Sequence, residues 1–257
     1  MASTADDVAD LVIVACHAIF LGNPGSSECD VYSPQQWHLQ SFQKPTGCLP
    51  GEHETFLLHI QAGLNALVYG SVSRSSVLVF SGAATAQDVT GLSEAQSYFD
   101  AAVALTQQFG RGHPFTECLK SRTLVEDAAT DSYQNLLFSI LKFRRHFGRY
   151  PRSVRVITHA FKTERFLVST MLVIEAVAVQ SRVDRRHLDA THHIVIAKPS
   201  FRTIRCIFVD CSAEMIFPLD HLTYLGFHSA LSQAIVYHQT VWASTKSLCP
   251  NMVALVA

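Results

Sequence analysis

Charge is scarce in this chain. Only 16% of its 257 residues are Asp, Glu, Lys or Arg, against roughly 25% in ordinary soluble domains. Hydrophobic residues reach 48%, which argues for a core-rich globular chain and against intrinsic disorder. No basic block occurs and the net charge is −1, which leaves nucleic acid or an anionic membrane surface without an electrostatic basis as partner. The seven cysteines form no C-x-x-C pair. An odd, unpatterned set argues for reduced thiols inside the cell.

Other signals are missing too. The opening stretch MASTADDVAD is polar and acidic, unlike a secretory signal. The most apolar run, FLVSTMLVIEAVAV at 166–179, contains Glu175 and is shorter than the roughly 20 residues of a membrane span. It reads as a buried helix, and the expected location is cytoplasmic with no membrane span. There is no G-x-S-x-G elbow, no G-x-G-x-x-G, no Walker loop and no H-E-x-x-H. His192 and His193 are adjacent and would face opposite sides of a strand. Cys206 and Cys211 have no partner pair, so no metal site is expected.

What is present alternates strand with helix. LVIVACHAIF (11–20) reads as a strand buried on both faces, and VLVF (77–80) as a second. VRVIT (154–158), HIVIA (193–197) and IRCIFV (204–209) are further strands. Between them, ETFLLHIQAGLNALVY puts Phe56, Ile60, Leu64 and Leu67 on one helical stripe. SEAQSYFDAAVALTQQFG starts at a Ser93–Gln96 capping box and stops before Gly110. EDAATDSYQNLLFSILKFRRHFG is a helix with Tyr133, Leu136, Leu137, Ile140, Leu141 and Phe147 on its apolar face. The segment around Pro114 reads as a polar loop, and QQWHLQSFQ as a short helix in a long excursion. Such alternation predicts a Rossmann-like three-layer α/β/α fold with a mostly parallel sheet. Residues 1–217 form the expected domain and 218–257 a diverged tail.

Ligands bind outside the carboxyl ends of such strands, so the residues delivered there are the candidates. The first strand brings Cys16 and His17. The second brings Ser81, Gly82 and Thr85, followed by Ser93 and Glu94 at a helix start. Glu126, Asp131, Ser132 and Asn135 precede or open the next helix, and the third strand leads to His159, Lys162 and Arg165. Lys162, Arg165 and free amides at helix starts suit an anion; Glu94 and Asp131 suit hydroxyls or amines, or act as a base. Together they predict a pocket for a small polar, nucleotide-like ligand. Taken singly, Ser93 and Asp131 read better as helix caps, and Gly82 as relief in a tight turn.

The ordered set LVFSGAAT, LSEAQSY, EDAATDSYQNLLFS and YPRSVRVITHAFKTERF resembles the family called domain of unknown function 218, which includes the bacterial YdcF, SanA and ElyC proteins. The QQWHLQSFQ and ETFLLHIQAGL segments resemble its eukaryotic, fungal-type branch. The likeness covers about residues 11–167. It implies a Rossmann-like fold, a polar site at Ser81, Gly82, Ser93, Glu94, Asp131, Ser132, Asn135, His159, Lys162 and Arg165, and S-adenosylmethionine as a possible ligand. Two departures stand out: the family's second loop glycine is Ala83 here, and the likeness stops after KTERFL.

Three readings follow. The chain binds a small polar ligand, with hydrolase or transferase chemistry using Glu94 or Asp131 as base and His159 or Arg165 on an anion. Or it keeps the fold without a complete site. Or it is an interaction module anchored by Trp37 and Phe42.

Overall fold

The computed structural model describes residues 10–47, 49–69, 75–107, 109–110, 112–162, 165–166, 203–208 and 213–218. The helix expected at 166–179, the strand at 193–197, the His192–His193 pair, Cys211 and the side chain of Cys206 lie outside them. The chain divides into two units, Met1–Phe217 and Pro218–Ala257, and the architecture below is that of the first.

The buried run starting at Asp10 forms β1 (Asp10–Ala15), fully buried as its Val- and Ile-rich sequence requires. The chain then leaves the sheet. Ile19–Phe20 (β2) pairs antiparallel with Trp37–His38 (β3) in a separate two-stranded sheet. The single strand expected over 11–20 is therefore two, because β2 packs on the second long helix instead of continuing the ladder. The helix expected in QQWHLQSFQ is replaced by β3 between two single 3-10 turns, Pro34–Gln36 and Ser41–Gln43.

From there the alternation holds. Helix α1 (Glu52–Val68) leads to β4 (Ser76–Ser81), and α2 (Glu94–Gln107) and α3 (Pro114–Ser121) lead to β5 (Thr123–Glu126). Helix α4 (Ser132–Phe147) leads to β6 (Ser153–Thr158), and β7 (Thr203–Phe208) and β8 (Ala213–Pro218) follow. The strand order is β5-β4-β1-β6-β7-β8, and β5, β4, β1, β6 and β7 run parallel. The fold is Rossmann-like, as its alternation predicts. Two elements escape the sequence pattern. Pro114 opens α3 instead of a loop, with His113 capping Phe115. Edge strand β5 is four residues long and half-buried, too short for a periodic signal.

Register places Val14 of β1 level with Phe80 and Ile157 on one face, where they join Phe56, Ile60, Leu64 and Leu67 of α1 in one apolar cluster. Each such side chain contributes about 1.5–3 kcal/mol on burial. Helices α1, α2 and α3 touch one another on this face. On α4 the buried residues are Leu136, Ile140 and Phe143, while Leu141 of the expected stripe is exposed. The face is rotated because Ser139 and Asn135, polar but buried, also point inward.

The connections set the position of the site. β1 to β4 to β5 steps outward in one direction; α4 then carries the chain back past β1 to β6 on the other side. Right-handed crossovers in opposite directions put α4 on the opposite face from α1–α3. The reversal between β1 and β6 is a topological switch point, where the two loops diverge and leave a crevice at the carboxyl edge. At the amino edge the sheet is closed: buried Asp10 accepts from Ser75, Ser153 and Arg152 at 2.6, 2.6 and 2.8 Å.

Candidate functional site

A cleft of about 850 Å³ opens over the switch point. Gly82, Thr85, Glu94, Asp131, Ser132, Asn135, His159, Lys162 and Arg165 all line it, together with Cys16 and His17. Parallel topology explains the convergence, since every loop after a strand and every following helix start arrives at this one edge.

Ser81 and Ser93 stand apart. Ser81 is 0% exposed, and its Oγ lies 2.6 Å from Glu126 Oε2 and 2.9 Å from Asn135 Oδ1. Its single proton goes to the carboxylate, whose other oxygen accepts from Ala128 N at 2.8 Å. Glu126 thus ends β5 and ties β4, β5 and α4 together behind the cleft. Ser93 caps α2 by accepting from Gln96 N at 3.0 Å. The Gln96 side chain donates to Asp100 at 3.0 Å, so only half of the expected capping box forms.

The first two amides after β4 are bonded within the fold. Gly82 N donates to Glu126 O and Ala83 N to Ala129 O, while Ala95 N and Glu94 N donate back to Gly82 O and Ala83 O. These bonds clamp the loop between the β5–α4 connection and the start of α2. They also use up the first amides of α2, which therefore brings a carboxylate to the cleft instead of an anion-binding terminus. Gly82 lacks a left-handed φ; its role is room. Side chains of Glu94 and Cys16 crowd the position that a Cβ would take. Ala83 is buried and does not line the cleft.

Glu94 is the most informative acid. Thr85 Oγ1 donates to its Oε1 at 2.7 Å. Burial pushes its carboxyl above the usual range, opposed by the Thr85 bond and by the charge of Lys162. Asp131 serves the helix instead, its Oδ1 accepting from Gln134 N at 2.8 Å to cap α4 at the rim. Thr130, Asp131 and Ser132 present the start of α4 to the cleft.

Opposite Glu94 the chemistry is basic. Lys162, on the 3-10 turn after β6, has its Nζ 2.8 Å from His17 Nδ1. A charged lysine donates there, which places the imidazole proton on Nε2, 3.2 Å from Thr158 Oγ1. Burial pushes Lys162 below its ordinary pKa, with Glu94 opposing and nearby Arg165 adding to the fall. Burial likewise holds His17 well below its ordinary value, assisted by Lys162, His159 and His59. Cys16 goes the other way: burial, then Glu94, raises it well above an ordinary thiol, and its Sγ donates to Val14 O at 3.6 Å. Both effects favour the thiol over the thiolate.

His59 is the residue that sequence reasoning misses. It lies on the inward face of α1 beside Ile60 and is 0% exposed. Its ring centroid is 4.9 Å from that of His159 and 5.7 Å from that of His17, which is itself 4.6 Å from His159. A single helical histidine carries no signal of partners 42 and 100 positions away in the chain. Glu52, Gln40 and Gln43 also line the cleft unannounced. Trp37, expected as a partner anchor if exposed, is 4% exposed and donates to Val31 O at 2.9 Å. It is core. Phe42 is 71% exposed and forms part of the cleft rim.

Among the described residues no helix is long and apolar enough to cross a membrane. No family model matches the chain, and no solved structure matches it. The chain is similar to a Saccharomyces cerevisiae protein named "Uncharacterized protein YOR238W", 24% identical over 193 residues. The match covers 63% of this chain and 62% of the yeast protein.

Proposed function

We propose that the chain binds a small polar, nucleotide-like ligand at the carboxyl ends of its strands, with S-adenosylmethionine as the candidate its family resemblance suggests, and that it belongs with the domain of unknown function 218 proteins. The observation that carries this reading is the meeting of Glu94 and Lys162 in one cleft over the β1–β6 switch point. Such a cleft is where open parallel sheets hold their ligands. Its volume, about 850 Å³, falls in the range of small-molecule sites, roughly 300–1,000 Å³.

The two walls divide the work. Lys162 and Arg165 meet negative charge on the ligand, while Glu94, Thr85 and Asp131 meet hydroxyl or amino groups. Turnover of the hydrolase or transferase type would draw on Glu94, whose raised carboxyl takes or gives a proton nearer neutrality than an ordinary glutamate. His159 and Arg165 would then stabilise developing negative charge.

Isothermal titration of the full chain with S-adenosylmethionine, nucleotides and sugar phosphates tests the reading. Binding by one class, lost in Glu94→Gln and Lys162→Met, is the expected result. Folded protein that binds none of these classes overturns it.

A further inference from the structure

At the cleft wall, His17, His59 and His159 each offer one ring nitrogen, and these nitrogens lie within 4.8 Å of one another. The residues come from the end of β1, the middle of α1 and the end of β6, so the cluster exists only in the folded chain. The geometry points to a binding site for a divalent transition ion of the Zn²⁺ class, held by these three imidazoles.

Imidazole is the preferred neutral ligand of Zn²⁺ and related ions. Bonds of about 2.0–2.1 Å in a tetrahedral arrangement bring ligand nitrogens to roughly 3.3 Å apart. From a triangle no wider than 4.8 Å, each nitrogen moves inward by less than about 1 Å, within reach of small ring rotations. Three protein ligands leave a fourth position open. His17 and His159 line the cleft, which gives solvent and solutes a route to the cluster, while His59 is fully buried. Phe56 of α1 packs against the His17 and His159 rings.

One tethered cation adjoins this site. Lys162 Nζ sits 2.8 Å from His17 Nδ1, so an incoming ion meets an ammonium beside one of its three ligands. The lysine and the metal charge oppose each other. This gives the site a signature that a merely structural histidine cluster lacks: removing the lysine charge strengthens metal binding.

The test uses untagged, chelator-treated full chain titrated with Zn²⁺ by calorimetry and with Co²⁺ by visible absorption. The wild type takes up a single equivalent, with the intense d–d bands of low-coordinate Co²⁺, and its melting temperature rises with Zn²⁺. His17→Gln and His159→Gln weaken binding by more than ~100-fold, beyond the cost of losing an outer partner of a ligand. Lys162→Met tightens it at least several-fold, and His146→Gln, exposed in the last turn of α4, leaves it unchanged. If the fully buried His59→Gln does not fold, half-buried His17→Gln carries the test. Wild-type affinity no greater than that of His17→Gln, or Lys162→Met weakening the site, overturns the proposal.

Discussion

Glu94 packs into the space that Gly82 leaves by having no side chain. A methyl group on Gly82 would lie 3.0 Å from both Glu94 Cβ and Glu94 Oε2, and 3.2 Å from Cys16 Cβ. Two of these contacts are with Cβ atoms, which move only with their backbone. Gly82→Ala is therefore expected to destabilise the fold by about 1–3 kcal/mol through overpacking, measured by urea denaturation, and to displace the Glu94 carboxylate from the cleft. An unchanged midpoint would show that α2 shifts freely.

Ser81 stands behind the cleft instead of in it. Ser81→Ala removes the hydroxyl 2.6 Å from buried Glu126 Oε2, leaving a carboxylate oxygen without that donor. The expected loss is about 1–3 kcal/mol of stability, with any ligand-induced melting shift preserved. Loss of ligand binding at full stability would instead place Ser81 in the binding surface.

Glu94 gives a pH dependence with a definite sign. Its folded carboxyl is raised above the ordinary 4.5, chiefly by burial. A raised acid favours the protonated form in the folded state, so the folded protein binds more protons than the unfolded chain just above pH 4.5. Stability contributed by this group is then present at low pH and lost as pH rises through the folded value. Glu94→Gln keeps the shape and the Thr85 bond but cannot ionise. Its stability relative to wild type is expected to increase between pH 4.5 and 7, read from denaturation midpoints across that range. A flat difference would mean that the Thr85 bond and Lys162 balance burial, and the opposite slope that they outweigh it.

The sheet was legible because fully buried strands such as Asp10–Ala15 and Ser76–Ser81 are short, continuous and β-branched, and because α1 carries a clean stripe. The cleft was legible for a topological reason: parallel strands deliver their loops to one edge whatever the sequence. Details failed where tertiary context decides. Periodicity does not separate Ile19–Phe20 from the strand before it, and Trp37 looks the same in sequence whether it anchors a partner or fills the core. His59 was invisible because a metal-like cluster assembled from three distant elements has no spacing. That Gly82 makes room for Glu94, and that its amide and that of Ala83 are bonded within the fold, is visible only in the packing and hydrogen bonds.

The most direct test of the account is the melting temperature of wild type, Glu94→Gln and Lys162→Met, each with and without the panel of S-adenosylmethionine, nucleotides and sugar phosphates. A ligand at a hundred times its dissociation constant adds about 2.7 kcal/mol, enough for a clear upward shift. The account predicts that shift in the wild type for one ligand class and its loss in both variants. A shift of equal size in all three proteins would place the ligand away from the β1–β6 cleft and contradict it.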